Sequence, residues 1–229
     1  GYGAATFDYR GIGYSRPASL RGFKADVLDW ARLDCSAMLE AVTARHSGVP
    51  LYWVGHSLGG QILAFVPNRD RIAKAVTVAS GSGYWRQNAP YLKRYVLWLW
   101  FVAVPAGVAL CGYFPGKRLR KVGDLPKGVI EQWRRWCLNA DYAAGAEGPW
   151  ARAAYQAVQT PIVSLSFTDD EFMSAQSIES LHRMYEMAPR TMKRIAPADA
   201  GVRRIGHFGF FRASFSNSLW PAFLMPELT

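Results

Sequence analysis

Cysteine, histidine and acidic residues are scarce in this chain of 229 residues, which has three cysteines, four histidines and 17 Asp or Glu. Cys35, Cys111 and Cys137 are odd in number and lack metal-ligand spacing, so neither a disulfide framework nor a thiolate zinc site fits. They read as buried or incidental thiols of a reduced compartment, which makes the cytoplasm the expected location. No internal repeat or low-complexity segment is present, so solenoid and fibrous architectures are excluded. Charged residues are only 19% of the chain and hydrophobic ones 50%, a balance that excludes disorder. The length suits one globular domain with a sizeable core. The net charge of +10 raises nucleic acid as a partner. However, no nucleic-acid module is recognisable, and the cations flank an apolar run instead of lining a polar face. No nucleic-acid partner is expected.

The most specific feature present is Gly55-His56-Ser57-Leu58-Gly59, between the apolar run Leu51-Tyr52-Trp53-Val54 and a helix-like segment. Gly-x-Ser-x-Gly in a strand–turn–helix setting places a serine on a strained turn, its hydroxyl clear of the sheet. Gly55 and Gly59 are expected where a Cβ would clash as the backbones close together.

A nucleophilic serine needs a base, and the base an orienting acid, here in the order serine, acid, histidine. His46 precedes the elbow, and His56 lies inside it and is expected to point away from the nucleophile. His182 sits in a helical pattern and reads as a solvated helix residue. His207 remains, between Gly206 and Gly209 with aromatics around it, and is the candidate base. The acid should follow the apolar, β-branched strand Pro161–Phe167, which runs into Thr168-Asp169-Asp170-Glu171. Asp170 is preferred and Asp169 is the alternative, the remaining carboxylates reading as turn or cap residues.

Four segments together resemble the α/β-hydrolase family, in its esterase, monoacylglycerol-lipase-like and serine-aminopeptidase-like branch. They are Phe7-Asp8-Tyr9-Arg10-Gly11-Ile12-Gly13-Tyr14-Ser15, the elbow through Gly60, Thr168–Met173 and Gly206-His207-Phe208. The resemblance implies a mostly parallel sheet flanked by helices with an inserted helical lid. It implies Ser57, Asp170 and His207 as the catalytic residues and the backbone N–H of Leu58 as an oxyanion donor. It implies no cofactor and no metal. In this family the Asp-x-Arg-Gly-x-Gly-x-Ser segment ends the fourth strand, so Gly3–Asp8 is expected to be a strand and the chain to be N-terminally incomplete. Asp8 is expected to anchor the following turn, with Arg10, Gly11 and Gly13 structural.

Periodicity predicts a helix over Phe23–His46, a helix from Leu58 to before Pro67, and a strand over Ala73–Ala79. Towards the end it predicts a helix over Ala175–Tyr185, a strand over Thr191–Ile195 and a closing helix over Phe210–Leu224. The expected division is a hydrolase core of residues 1–83 and 158–229 with residues 84–157 as the lid. Residues 84–157 hold six of the nine tryptophans, and eleven Lys or Arg against four Asp or Glu. Their core, Tyr95–Phe114, is uncharged. Lys93 and Arg94 precede it, and Lys117, Arg118, Arg120 and Lys121 follow. Basic residues at both ends argue against a full membrane span. The run reads as two lid helices hinged near Pro105 and Gly107, compatible with peripheral docking on an anionic membrane.

The expected chemistry is a serine hydrolase acting on an ester of a hydrophobic acyl or aryl group. An amidase or aminopeptidase, or a catalytically silent hydrolase scaffold, is the alternative. Substrate identity and oligomeric state are not legible.

Overall fold

The computed structural model describes residues 1–119 and 122–229. Arg120 and Lys121, two of the predicted flanking cations, lie outside the described residues. Among the described residues six strands occur in chain order: β1 Leu51–His56, β2 Ile72–Val78, β3 Tyr113–Phe114, β4 Leu125–Pro126, β5 Ile162–Phe167 and β6 Arg190–Ile195. Strands β1, β2, β5 and β6 form one parallel sheet in that order, and β3 and β4 make a short antiparallel ribbon.

Alternation along the central strands builds a core on each face of the sheet. Val76, Val78, Val163, Leu165 and Phe167 point to one side, where they meet Phe210, Leu219 and Leu224. Ala75 and Ile162 point to the other, where Leu28, Ala31, Leu63, Phe65, Trp136 and Tyr155 pack. Every residue of β5 is buried, as a run of apolar and small residues allows, whereas β1 and β6 are edge strands with partly open faces.

The first predicted strand does not form. Residues 3–8 pair with no strand among the described residues, and residues 3–7 run exposed over the surface. Extended chain without a hydrogen-bonded neighbour is not a strand. The turn after it behaves as expected: Asp8 Oδ2 accepts the N–H of Tyr14 at 2.8 Å, and Gly11 and Gly13 adopt φ of 84° and 51°. The helix predicted from Phe23 begins at Val27, because Asp26 and Asp29 form a reciprocal capping box there. It continues through a π-helical stretch, Trp30–Cys35, into Ser36–Arg45. Burial pushes the Cys35 thiol up to about 12 and raises Cys137 as well, so both are protonated, unreactive core residues.

Two further expectations are corrected. The apolar run is not two hinged helices but one continuous helix, Pro90–Cys111. A π turn over Leu99–Ala103, in which the N–H of Val104 reaches the carbonyl of Leu99, precedes Pro105 and accommodates its missing donor. The helix stops at Gly112, whose φ of 78° is left-handed. The closing helix predicted over Phe210–Leu224 is broken into short turns at Ala213–Phe215 and Trp220–Leu224, with a further turn at Met225–Glu227 beyond it. Ser, Asn and Pro between residues 216 and 226 favour turns over one long helix.

Candidate active site

The site lies at the carboxyl ends of β1 and β5. Ser57 follows β1 with φ 49° and ψ −112°, a conformation a non-glycine residue holds only when its surroundings impose it. Its N–H is tied to the carbonyl of Val78 at 2.9 Å. The Trp53 indole donates to the carbonyl of Gly59 at 3.0 Å, clamping strand to helix. A Cβ on Gly55 would lie 2.6 Å from the backbone of Gly59, so glycine is required at 55. The same argument fails at Gly59, where a Cβ meets nothing within 4 Å; the crowded neighbour is instead Gly60, against Ser80 and Thr77.

Ser57, His207 and Asp170 come together. His207 Nε2 is 3.1 Å from Ser57 Oγ, and His207 Nδ1 is 2.9 Å from Asp170 Oδ2. Both His207 and Asp170 are buried. Asp170 Oδ1 also accepts the N–H groups of Phe172 and Met173 at 2.7 and 2.8 Å, which fixes the carboxylate plane. The acceptor on the Nδ1 side means that Nδ1 carries the proton and Nε2 faces the serine hydroxyl with its lone pair. His207 lies in a single helical turn, Gly206–Gly209, opened by Gly206 at φ 63°. Leu58 is the first residue of the helix Leu58–Gln61, so its N–H is among those with no intrahelical acceptor.

The other two carboxylates of the acid turn are not mere turn residues. Asp169 Oδ2 accepts the N–H groups of Ile205 and Gly206 at 2.9 and 3.1 Å. Glu171 accepts the N–H of His207 at 3.1 Å and pairs with Arg204 at 3.4 Å. Three consecutive acids therefore hold one loop, two by its backbone and one by its imidazole. The run of three acids was visible in the sequence, but the loop they reach lies 36 residues away.

His56 also has a place that the sequence did not suggest. Its Nε2–H donates to the carbonyl of His207 at 2.8 Å, and the two rings are 5.0 Å apart. Burial, then the nearby His207, lowers its pKa, which keeps it a neutral donor. His182 is not solvated. It is buried, with Nε2 at 2.7 Å from Thr77 Oγ1 and Nδ1 at 2.7 Å from the carbonyl of Ile178. Burial pulls its pKa down to about 4.

Around the histidine the walls are aromatic. Phe172 lies 4.9 Å from the His207 ring, and Phe208 packs against both. The segment entering the 90–111 helix is stapled to the acid turn, since Ala89 N–H donates to the carbonyl of Phe172 at 2.9 Å and Asn88 bridges Met173. Among the described residues, no group of three or more His, Cys, Asp or Glu is placed to hold a metal ion.

A parallel sheet flanked by helices, with a serine elbow after one strand, defines an α/β hydrolase. The chain belongs to this family of hydrolases: the family model described as serine aminopeptidase, S33, matches residues 1–118. That match contains the elbow, while Asp170 and His207 lie beyond it. The chain is also similar in structure to a soluble variant of monoglyceride lipase from Saccharomyces cerevisiae. That likeness has 16% identity and a TM-score of 0.54, and covers 82% of this chain and 66% of the lipase. It is similar as well to the monoacylglycerol lipase of Paleococcus ferrophilus, at 12% identity and a TM-score of 0.48, over 82% of this chain and 70% of that one. No curated protein matches the chain in sequence.

Proposed function

We propose that this protein is a serine hydrolase that cleaves carboxylic esters of hydrophobic acyl or aryl groups through an acyl-enzyme. Ser57 is the nucleophile, His207 the base and Asp170 the orienting acid. His207 Nε2 takes the Ser57 proton as Oγ attacks the ester carbonyl. The Leu58 N–H donates to the oxygen that becomes negative, and His207 then gives the proton to the departing alkoxide. Water, deprotonated by the same nitrogen, releases the acid and regenerates Ser57. Asp170 keeps the proton on Nδ1 throughout and stabilises the imidazolium. The chemistry calls for no cofactor.

One observation carries this reading: the unbroken chain of contacts from Ser57 Oγ through His207 to Asp170, at 3.1 and 2.9 Å. Phe172 and Phe208 beside the imidazole favour an apolar substrate over a peptide. We assign residues 84–157 as the lid over this site and the remainder as the core. The yeast relative's name, monoglyceride lipase, agrees with an ester of a fatty acid. The family description, serine aminopeptidase, favours a second reading in which an amino-terminal amide is cut.

Labelling with a fluorophosphonate probe tests the nucleophile. The wild-type protein is expected to label and Ser57→Ala to remain unlabelled; a folded wild-type protein that does not react overturns the proposal in favour of a binding scaffold. A panel of p-nitrophenyl esters against aminoacyl p-nitroanilides separates the two substrate readings. Turnover of the esters alone is expected, and preferential turnover of the anilides would establish the aminopeptidase.

A further inference from the structure

The 90–111 helix presents two unlike faces. One packs into the core through Leu92, Val96, Trp100 and Val104, all at most 9% exposed. The opposite face is open and, from Leu97 onward, wholly apolar: Leu97, Trp98, Phe101, Val102 and Leu110 are 40, 50, 56, 51 and 77% exposed. Leu97, Trp98, Phe101 and Val102 recur at three- and four-residue spacing, and exposed Ala106 carries the same face on to Leu110, so they form one stripe along the helix. A solvated helix normally carries its polar residues there, and a contiguous apolar surface of this kind marks an interaction site.

The charges around the stripe say what covers it. The four acids of residues 84–157 are all engaged elsewhere: Asp124 with Arg16, Glu131 with Lys127, Glu147 with Arg135 and Asp141 with Arg152. Lys93 and Arg94 at one end of the helix, and Arg118 beyond the other, are exposed and form no salt bridge with a carboxylate among the described residues, whereas Lys117 faces Asp124. The chain doubles back after Gly112, with Pro115 against Gly107 on the buried side of the helix. Arg134 lies over the ring of Phe101 at 5.1 Å, so a cation also borders the middle of the stripe. An apolar stripe with free cations at its start and a cation over its middle is complementary to the interface of an anionic bilayer, with aromatics among the acyl chains and Lys and Arg on the headgroups.

We infer that this face of the 90–111 helix docks in the plane of an anionic lipid surface. The helix has the length and hydropathy of a membrane span, but only by composition. Crossing the bilayer would strip the buried stripe from the core and break the bond from Arg134 Nε to the carbonyl of Trp100. Lying in the interface leaves both intact. The helix begins one residue after Ala89, whose N–H is bonded to the Phe172 carbonyl beside His207. Docking therefore brings the candidate active site to the lipid surface. The inference does not depend on the reaction proposed above, because its readout is binding.

The test is flotation of the whole protein with phosphatidylcholine vesicles, with and without phosphatidylglycerol, at low and high salt. Binding is expected only with the anionic lipid and is expected to weaken as salt rises. The double substitution Trp98→Ser/Phe101→Ser is expected to lower it by at least about tenfold. Lys93→Gln/Arg94→Gln, which alters exposed side chains only, is expected to lower it about fivefold per cation removed. Absence of binding to anionic vesicles at low salt would overturn the inference. So would binding that neither pair of substitutions changes, which places the contact elsewhere. A dimer that Trp98→Ser/Phe101→Ser splits while vesicle binding is unchanged would assign the face to a second copy of the chain.

Discussion

The acid turn with its histidine loop and the 90–111 helix are held in opposite ways. In the first, residues 169–171 and 204–207 interlock through directional hydrogen bonds, most of them accepted by carboxylates. In the second, one side is fixed by packing and the other is an open apolar face. The first arrangement sets atoms to within a fraction of an ångström, as proton transfer needs. The second sets only an orientation, which is enough for a surface that meets a fluid partner. Substitutions should therefore divide between them, those in the loop changing rate and those on the helix changing stability or association.

The largest effect should come from Asp170→Asn, which preserves shape but favours the wrong imidazole tautomer. Turnover of an ester substrate is expected to fall by about 10⁴-fold with little change in melting temperature. A comparable loss of stability instead would move Asp170 from the site to the scaffold. Within the helix, Trp100→Ala should cost about 3–5 kcal/mol in denaturant unfolding, because it empties a buried site. Its neighbour Trp98→Ser should stay within about 0.5 kcal/mol. Equal costs would mean that the outer face is covered in solution.

Acid should expose a weakness in neither region but beneath them, at His182. Its folded pKa of about 4 lies below the ordinary 6.5, so the unfolded chain binds the proton first. The stability it contributes is full above pH 6.5 and is lost as the pH falls from there towards 4, by on the order of 3 kcal/mol. Melting curves of wild type and His182→Gln should diverge less at pH 5 than at pH 7. A smaller effect on turnover is expected from Asp169→Asn, which leaves a neutral acceptor for Ile205 and Gly206 but weakens both bonds. A roughly tenfold drop in turnover, with an unshifted pH profile, is the expected result. A shifted profile would make Asp169 part of the proton-transfer chain.

Much of the site was legible because its motifs are local. The elbow, the acid turn and the glycine-flanked His207 are short patterns whose chemistry dictates their neighbours. The helices and strands on either side follow from periodicity. What escaped is non-local. Nothing in the sequence says that Asp169 and Glu171 reach the backbone of residues 205–207, or that His56 holds the carbonyl of His207. His182 looked solvated because its helix has polar neighbours. Only the tertiary arrangement brings Thr77 to its ring. The absent strand at residues 3–8 has the same cause, since a strand exists only with a partner. At Gly59 the pattern suggested crowding that the actual path of the helix avoids.

The π turn at Leu99–Ala103 has a genetic consequence. Such a turn is one residue more than an α-helix needs, and each residue turns the helix by about 100°. Deleting a single codon there would restore regular winding and leave Val104 and Gly107 facing the core, because the turn already absorbs the extra residue. The division of this helix into an inner and an outer side is thus tolerant of a one-residue deletion at this turn. Elsewhere in the helix, where no turn absorbs the change, the same deletion would rotate everything downstream by about 100° and take Val104 and Gly107 out of the core.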